Sequence, residues 1–162
     1  MESLEEQLKK RLAGKVLILC LGNDLRSDDG AGTALARMLH GLLPVVIIDA
    51  GSAPENFLYP ILRENPDTVA FIDAADFQGE PGEMRILDST DLTGRSLGTH
   101  GASPGIFMEL LKEGGVGDVF MVGIQPLRTR LGQDISSEVE SAMDALAGIL
   151  RSILWKTDDE HS

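Results

Sequence analysis

Three short stretches of the sequence hold side chains able to bind a cation or move a proton. Asp28 and Asp29 are adjacent acids at the end of a polar loop, directly before Gly30-Ala31-Gly32 and a helical pattern. Asp73 closes an apolar run, and Asp76 follows three residues later. His100 stands among small residues in Gly98-Thr99-His100-Gly101-Ala102-Ser103. Two carboxylates and an imidazole drawn from separate loops suit a divalent transition metal: imidazole favours nickel, zinc or iron, and carboxylates accept harder ions. Each group also has an ordinary structural role open to it. An aspartate before a helix caps free N–H groups and suits the positive end of the helix dipole. That accounts for one of the two adjacent acids, not both. Asp73 alone is a common strand-end residue. His40, near a helix end, and His161, in an acidic tail, look incidental. Cys20 lies inside an apolar run and behaves there as a small hydrophobe rather than a nucleophile.

Other chemistries lack their residues. Gly30-x-Gly32 has no third glycine of a dinucleotide fingerprint, and Asp28-Asp29 would repel a pyrophosphate. There is no Walker lysine, no Gly-x-Ser-x-Gly elbow and no His-Glu-x-x-His. One cysteine excludes an intramolecular disulfide and any cysteine-only zinc site. The 162 residues carry 14 Lys and Arg against 26 Asp and Glu, a net charge of −12. That balance argues against a coat for nucleic acid or an anionic membrane, and permits a cation or a basic partner. With 43% hydrophobic and 25% charged residues, the composition is that of an ordinary globular domain. No run approaches the roughly 20 apolar residues of a membrane helix, and no targeting segment is visible, so the cytoplasm is expected.

The elements that must position these residues follow from the hydrophobic pattern. Leu4, Leu8 and Leu12 repeat every fourth residue, and Ser3 with Glu6 forms a capping box, which predicts a helix over 2–13. Val16 to Leu21, Val45 to Ile48, Thr68 to Ile72 and Val119 to Ile124 are continuous apolar runs, the pattern of strands buried on both faces of a parallel sheet. Met84 to Leu87 predicts a shorter strand. Helical spacing runs from Ala31 to Leu42. Ser52-Ala53-Pro54-Glu55 predicts a capped helix through about Arg63, and Ser103-Pro104 a helix around Ile106 to Leu111. Ser137 and Glu140 are expected to cap a last helix lined by Val139, Met143, Leu146, Leu150 and Ile153. Strands alternating with helices imply an α/β domain with a mainly parallel sheet between helix layers. Ligands of such sheets bind beyond the carboxyl ends of the strands, which selects the loops after Leu21, Ile48 and Ile72.

Taken in order, these stretches resemble the [NiFe]-hydrogenase maturation endopeptidases. Cys20-Leu21-Gly22-Asn23 through Asp28-Asp29-Gly30-Ala31-Gly32 is similar to the family's opening motif. Ile48-Asp49-Ala50-Gly51-Ser52-Ala53-Pro54-Glu55-Asn56 is similar to the second, and Phe71-Ile72-Asp73-Ala74-Ala75-Asp76 with Pro81-Gly82-Glu83 to the third. Thr99-His100 resembles the histidine loop and Gly123-Ile124-Gln125-Pro126 the late strand. The resemblance runs from about residue 16 to 150, and is greatest to the branch that processes the hydrogenase 3 large subunit. It implies a three-layer α/β/α sandwich of the phosphorylase/hydrolase-like type, forming one maturation-protease domain over 1–162 with a flexible acidic tail at 156–162. It also implies removal of a C-terminal extension from the large-subunit precursor after nickel insertion. The resemblance further implies that the nickel is carried by the precursor, with a metal-free resting enzyme expected. The resemblance makes Asp29, Asp73 and His100 the nickel-contacting catalytic residues and places Asp49 in substrate recognition. A monomer with no nucleic acid or membrane partner is expected. Asp28 and Asp76 are left open between positioning and proton transfer.

Two other classes fit parts of the pattern. A phosphoacceptor receiver domain also uses an acid pair and a strand-end aspartate, but its pair sits at the strand end and a lysine follows its late strand. Here Asp28 and Asp29 lie beyond the strand end, and Gln125-Pro126 replaces the lysine. A nickel carrier without hydrolytic activity would use the same ligands.

Overall fold

The computed structural model describes residues 1–92 and 103–159, so the loop bearing His100 lies outside the described residues. Five strands form one sheet: β1 (Val16–Leu21), β2 (Val46–Gly51), β3 (Thr68–Ala74), β4 (Met84–Leu87) and β5 (Asp118–Ile124). Their order is β2-β1-β3-β5-β4, with β4 antiparallel and the rest parallel. Successive side chains of a strand point to opposite faces. Ile18, Cys20, Ala70, Ile72, Phe120 and Val122 therefore pack on one side, under α1 (Leu4–Arg11), α2 (Ala31–Leu39) and α6 (Ser137–Asp159). Leu17, Leu19, Val69, Phe71, Val119 and Met121 pack on the other, under α3 (Leu58–Arg63), α4 (Ser89–Leu92) and α5 (Pro104–Glu113). The molecule is the expected α/β/α sandwich. Its three central strands β1, β3 and β5 carry continuous apolar runs, as strands covered on both faces must.

Local signals held where the partner is close in sequence. Ser3 and Glu6 form the capping box of α1, which covers Leu4–Arg11 within the expected 2–13. Ser103 caps α5 by accepting from the Gly105 N–H, with Pro104 in the first turn. Several boundaries differ. β2 is an edge strand, half-exposed along most of its length rather than buried, since it has only β1 beside it. Helix α2 stops at Leu39, leaving Leu42 exposed. Pro54–Phe57 is a 3-10 turn without a side-chain cap, and α3 starts only at Leu58. The cap of α6 is Ser136, one residue before the expected Ser137: its hydroxyl accepts from the Val139 N–H and its carbonyl from Glu140. Helix α6 continues through Asp159, so residues 156–159 are helical where a tail was expected.

The connection β1–α2–β2 moves one way along the sheet, and β2–α3–β3 crosses back past β1 to the other side. The chain direction thus reverses between β1 and β3. In open parallel sheets this switch point leaves a crevice beyond the carboxyl ends of the strands.

Candidate active site

The loop that carries Asp29 leaves β1 at Leu21 and folds back over the strand end. The Gly22 N–H donates to the Gly51 carbonyl at 2.9 Å, the Asn23 N–H to the Asp29 carbonyl at 2.9 Å and the Asp29 N–H to the Arg26 carbonyl at 3.1 Å. A β-carbon on Gly22 would sit 2.5 Å from the Asp29 carbonyl, so this return needs glycine. Helix α2 then begins almost on top of the sheet. A β-carbon on Gly32 would lie 2.0 Å from the Leu21 carbonyl and 2.7 Å from that of Ile72. These carbonyls end β1 and precede Asp73 in β3. The contact at Gly32 therefore presses the Asp29 loop against the end of β3, across the switch point.

The two adjacent acids have different environments. Asp28 is fully buried. It caps no helix: its carboxylate accepts from the Leu127 N–H at 2.8 Å, the Arg128 N–H at 3.1 Å, the Ser136 N–H at 2.7 Å and the Ser136 hydroxyl at 2.9 Å. Burial works against its charge, but these donors outweigh it and hold its pKa below the usual carboxylate range. Asp28 is a staple between the Asp29 loop and the segment after β5. Asp29 remains partly exposed at the crevice.

Asp73, one residue before the end of β3, pairs with Gly123 of β5 and keeps part of its surface open to solvent. Burial of its surroundings and then the Asp29 charge push its pKa well above the ordinary value, against one backbone bond from Ala74. The Asp29 loop and the end of β3 that carries Asp73 thus meet at the same edge of the sheet, where Gly32 seats α2 on the Leu21 and Ile72 carbonyls. Two carboxylates sharing a site either hold a proton between them or accept a cation. Among the described residues no group of three His, Cys, Asp or Glu is assembled to hold a metal ion, and His100 lies outside them. Cys20 is buried below, its thiol pushed up to about 12 by burial and by Asp49 and Asp73, which keeps it a thiol.

Asp49 is exposed on edge strand β2. Its carboxylate accepts from the Thr33 hydroxyl at 3.0 Å and the Gly51 N–H at 3.2 Å. It lines an open cleft of about 530 Å³ with Asn23, Asp24, Arg37 and Ser52. Asp76 is exposed and bonded by the amide of Gln125 at 3.1 Å. The pattern of residue types does not assign Gln125 a role, yet it organises the whole turn after Asp73. Its buried side-chain carbonyl accepts from the Phe77 N–H at 2.9 Å and the Gly79 N–H at 3.0 Å. The available signal was a glutamine closing an otherwise apolar strand, where a buried polar group must find partners.

Fold and site together define an α/β/α protein with two aspartates, Asp29 and Asp73, at its topological switch point. A family model described as HycI, hydrogenase maturation protease, matches residues 32–153. The chain is 35% identical to the hydrogenase 3 maturation protease of Escherichia coli strain K12 over 139 residues, covering 82% of this chain and 88% of the relative. The crystal structure of a [NiFe] hydrogenase maturation protease HycI from Thermococcus kodakarensis superposes with a TM-score of 0.84 at 33% identity, over 91% of this chain and 98% of that one. The solution structure of the endopeptidase HycI from Escherichia coli gives 0.78 at 32%, over 86% and 90%. The chain belongs to the hydrogenase maturation protease family, and is a hydrolase. The receiver alternative also fails on topology: receivers follow an all-parallel 2-1-3-4-5 order, whereas here β5 lies inside and β4 runs antiparallel.

Proposed function

We propose that this chain is a nickel-dependent endopeptidase that removes the C-terminal extension of a [NiFe]-hydrogenase large-subunit precursor after nickel insertion. The observation that carries this reading is that, in a chain of the hydrogenase maturation protease family, Gly32 seats the Asp29 loop against the end of β3 at Asp73, across the switch point; the Asp29 charge there helps raise the pKa of Asp73. A pair in that state gains from a cation, and here the cation arrives with the substrate. Asp29, Asp73 and His100 contact the precursor's nickel, a mixed oxygen and nitrogen set that suits it. Docking the nickel brings the extension against the carboxyl end of the sheet. The ion supplies the positive charge that stabilises an oxyanion or a hydroxide as the peptide bond is attacked. Asp49, in its open cleft, engages the precursor's chain. The enzyme works as a cytoplasmic monomer that carries no nickel of its own between turnovers.

The test is cleavage of purified precursor, with and without nickel, followed by mass spectrometry. Nickel-loaded precursor is expected to lose its extension and nickel-free precursor to remain whole. Asp29→Asn, Asp73→Asn and His100→Ala should each slow processing about 100-fold or more while the circular dichroism stays that of the parent. Equal cleavage of both precursors defeats the nickel claim. Tight nickel binding by the protein with no cleavage would make it a carrier instead.

A further inference from the structure

Beside the switch-point crevice lies a surface unlike the acid-rich remainder of the chain. Leu25, Leu127 and Leu131 are 66%, 47% and 67% exposed. Single exposed leucines mean little, but neighbouring ones form a patch that calls for a partner. The Gly132 N–H donates to the Leu25 carbonyl at 2.9 Å, which joins the loop after β1 to the segment after β5 at these leucines. Between Leu127 and Leu131 stand two exposed arginines, Arg128 and Arg130. Arg128 donates to the Ser27 hydroxyl and the Asp134 carbonyl. Neither guanidinium forms an ion pair among the described residues, although the chain's net charge is −12. Asp24, on the neighbouring loop, is already paired with Arg37 at 3.1 Å. Asp134 lies on the same segment and is exposed.

The patch is fixed relative to the catalytic pair. Asp28 accepts from the backbone of Leu127 and Arg128, and Asp29 is the next residue. The Ser27 hydroxyl donates to the Asp134 carbonyl at 2.6 Å, a second tie between the same two segments. A body seated on these leucines is held at a set distance from Asp29.

We propose that Leu25, Leu127 and Leu131, with Arg128 and Arg130, form the docking surface for the folded body of the hydrogenase precursor. The precursor meets it with an apolar patch rimmed by carboxylates. This rests on the protease function proposed above and names how that substrate is held. Binding energy gathered away from the cut bond is what orients a large substrate for reaction. Arginines facing carboxylates add steering and select the partner. A second copy of this chain fits the surface less well, because a two-fold contact uses the same patch on both sides and so brings two sets of Arg128 and Arg130 into one interface.

The test uses the full chain and nickel-loaded precursor. KM and kcat come from cleavage, and affinity from biolayer interferometry on the same samples. Leu131→Glu is expected to raise KM and weaken binding about tenfold or more, with kcat changed less than about twofold. Arg130→Glu should raise KM and flatten its dependence on salt. Trp155→Glu changes an apolar residue of α6 that is 55% exposed, and should leave both constants alone. These side chains are exposed, so circular dichroism and thermal midpoints should match the parent. Unchanged KM and affinity in Leu131→Glu overturn the proposal. So does sedimentation showing a parental dimer that Leu131→Glu dissociates with KM unchanged. If the parent binds precursor through the patch without cutting it, the docking surface stands and the protease reading falls. If the parent neither binds nor cuts, both fall.

Discussion

Burial and the neighbouring Asp29 charge both oppose ionisation of Asp73, and one backbone bond from Ala74 favours it. Asp28, one residue from Asp29, is the reverse: buried more completely, but with four donors on its carboxylate. One aspartate is thus a satisfied part of the scaffold, and the other carries its charge at the expense of the folded protein. The sign of the linkage follows. A carboxyl whose pKa is raised on folding destabilises the fold wherever it must be charged, and the cost disappears below the pKa of the unfolded chain. Asp73→Asn removes that cost. We expect the substitution to raise the thermal midpoint at neutral pH by about 2 to 4 °C, ~1 kcal/mol after allowance for partial exposure. The gap should close as the pH falls below the ordinary aspartate range. Differential scanning fluorimetry of the two proteins at neutral and acid pH reads it directly. A variant less stable than the parent at neutral pH would show that Asp73 has a structural partner that offsets its burial.

At the scale of elements, the crevice exists because α2 starts in contact with two strand ends. The β-carbon of an alanine at position 32 would lie 2.0 Å from one backbone carbonyl and 2.7 Å from another, and backbone cannot move aside as a side chain can. Gly32→Ala should cost about 3 kcal/mol or leave the chain unfolded in urea titration. Gly148, exposed in the middle of α6 with nothing within 4 Å of its β-carbon position, is the contrast. There alanine should stabilise by about 0.5 to 1 kcal/mol, since only helix propensity changes. The same distinction explains what could be read in advance. Strands β1, β3 and β5 were legible because two-sided burial writes an unbroken apolar run. The placing of Asp29 and Asp73 was legible because parallel strands bring their following loops to one end of the sheet. The work of Asp28 was not: its partners lie 99 to 108 residues away, and a local cap is what an aspartate before a helix ordinarily signals. Gln125 was hidden likewise, since its partners in the turn after β3 lie 46 to 49 residues from it. The half-exposed β2 still carries an apolar run, so its place at the edge of the sheet could not be told from the interior strands.

Across the whole molecule, one arginine ties the first helix to the start of β5 and the end of β4. Arg11, at the end of α1, donates to both oxygens of Asp118 at 2.8 Å and to Asp88 at 2.9 Å. Its guanidinium also stacks 4.5 Å from the Phe120 ring. The bond from Arg11 outweighs burial and holds the pKa of Asp118 below its usual value. For a depressed acid, the contribution to stability is complete above the unfolded pKa and is lost as the pH falls through the folded one. The chain's net charge of −12 works the other way, because protonating surface carboxylates relieves self-repulsion on mild acidification. The two trends separate in Arg11→Met, which keeps the apolar packing on Phe120 and removes only the charge. At neutral pH the variant should be less stable by about 1 kcal/mol, since the groups are partly exposed and a bidentate pair sits at the strong end of surface ion pairs. The deficit should shrink as Asp118 protonates at low pH. Added salt should stabilise both proteins by screening the excess of carboxylates, and should reduce the gap only partly, because the pair is not fully open to solvent. Urea unfolding at neutral and acid pH, in low and high salt, measures all of these differences. A gap independent of pH would mean that α1 is held by its leucines and the aromatic contact, with the carboxylates contributing nothing.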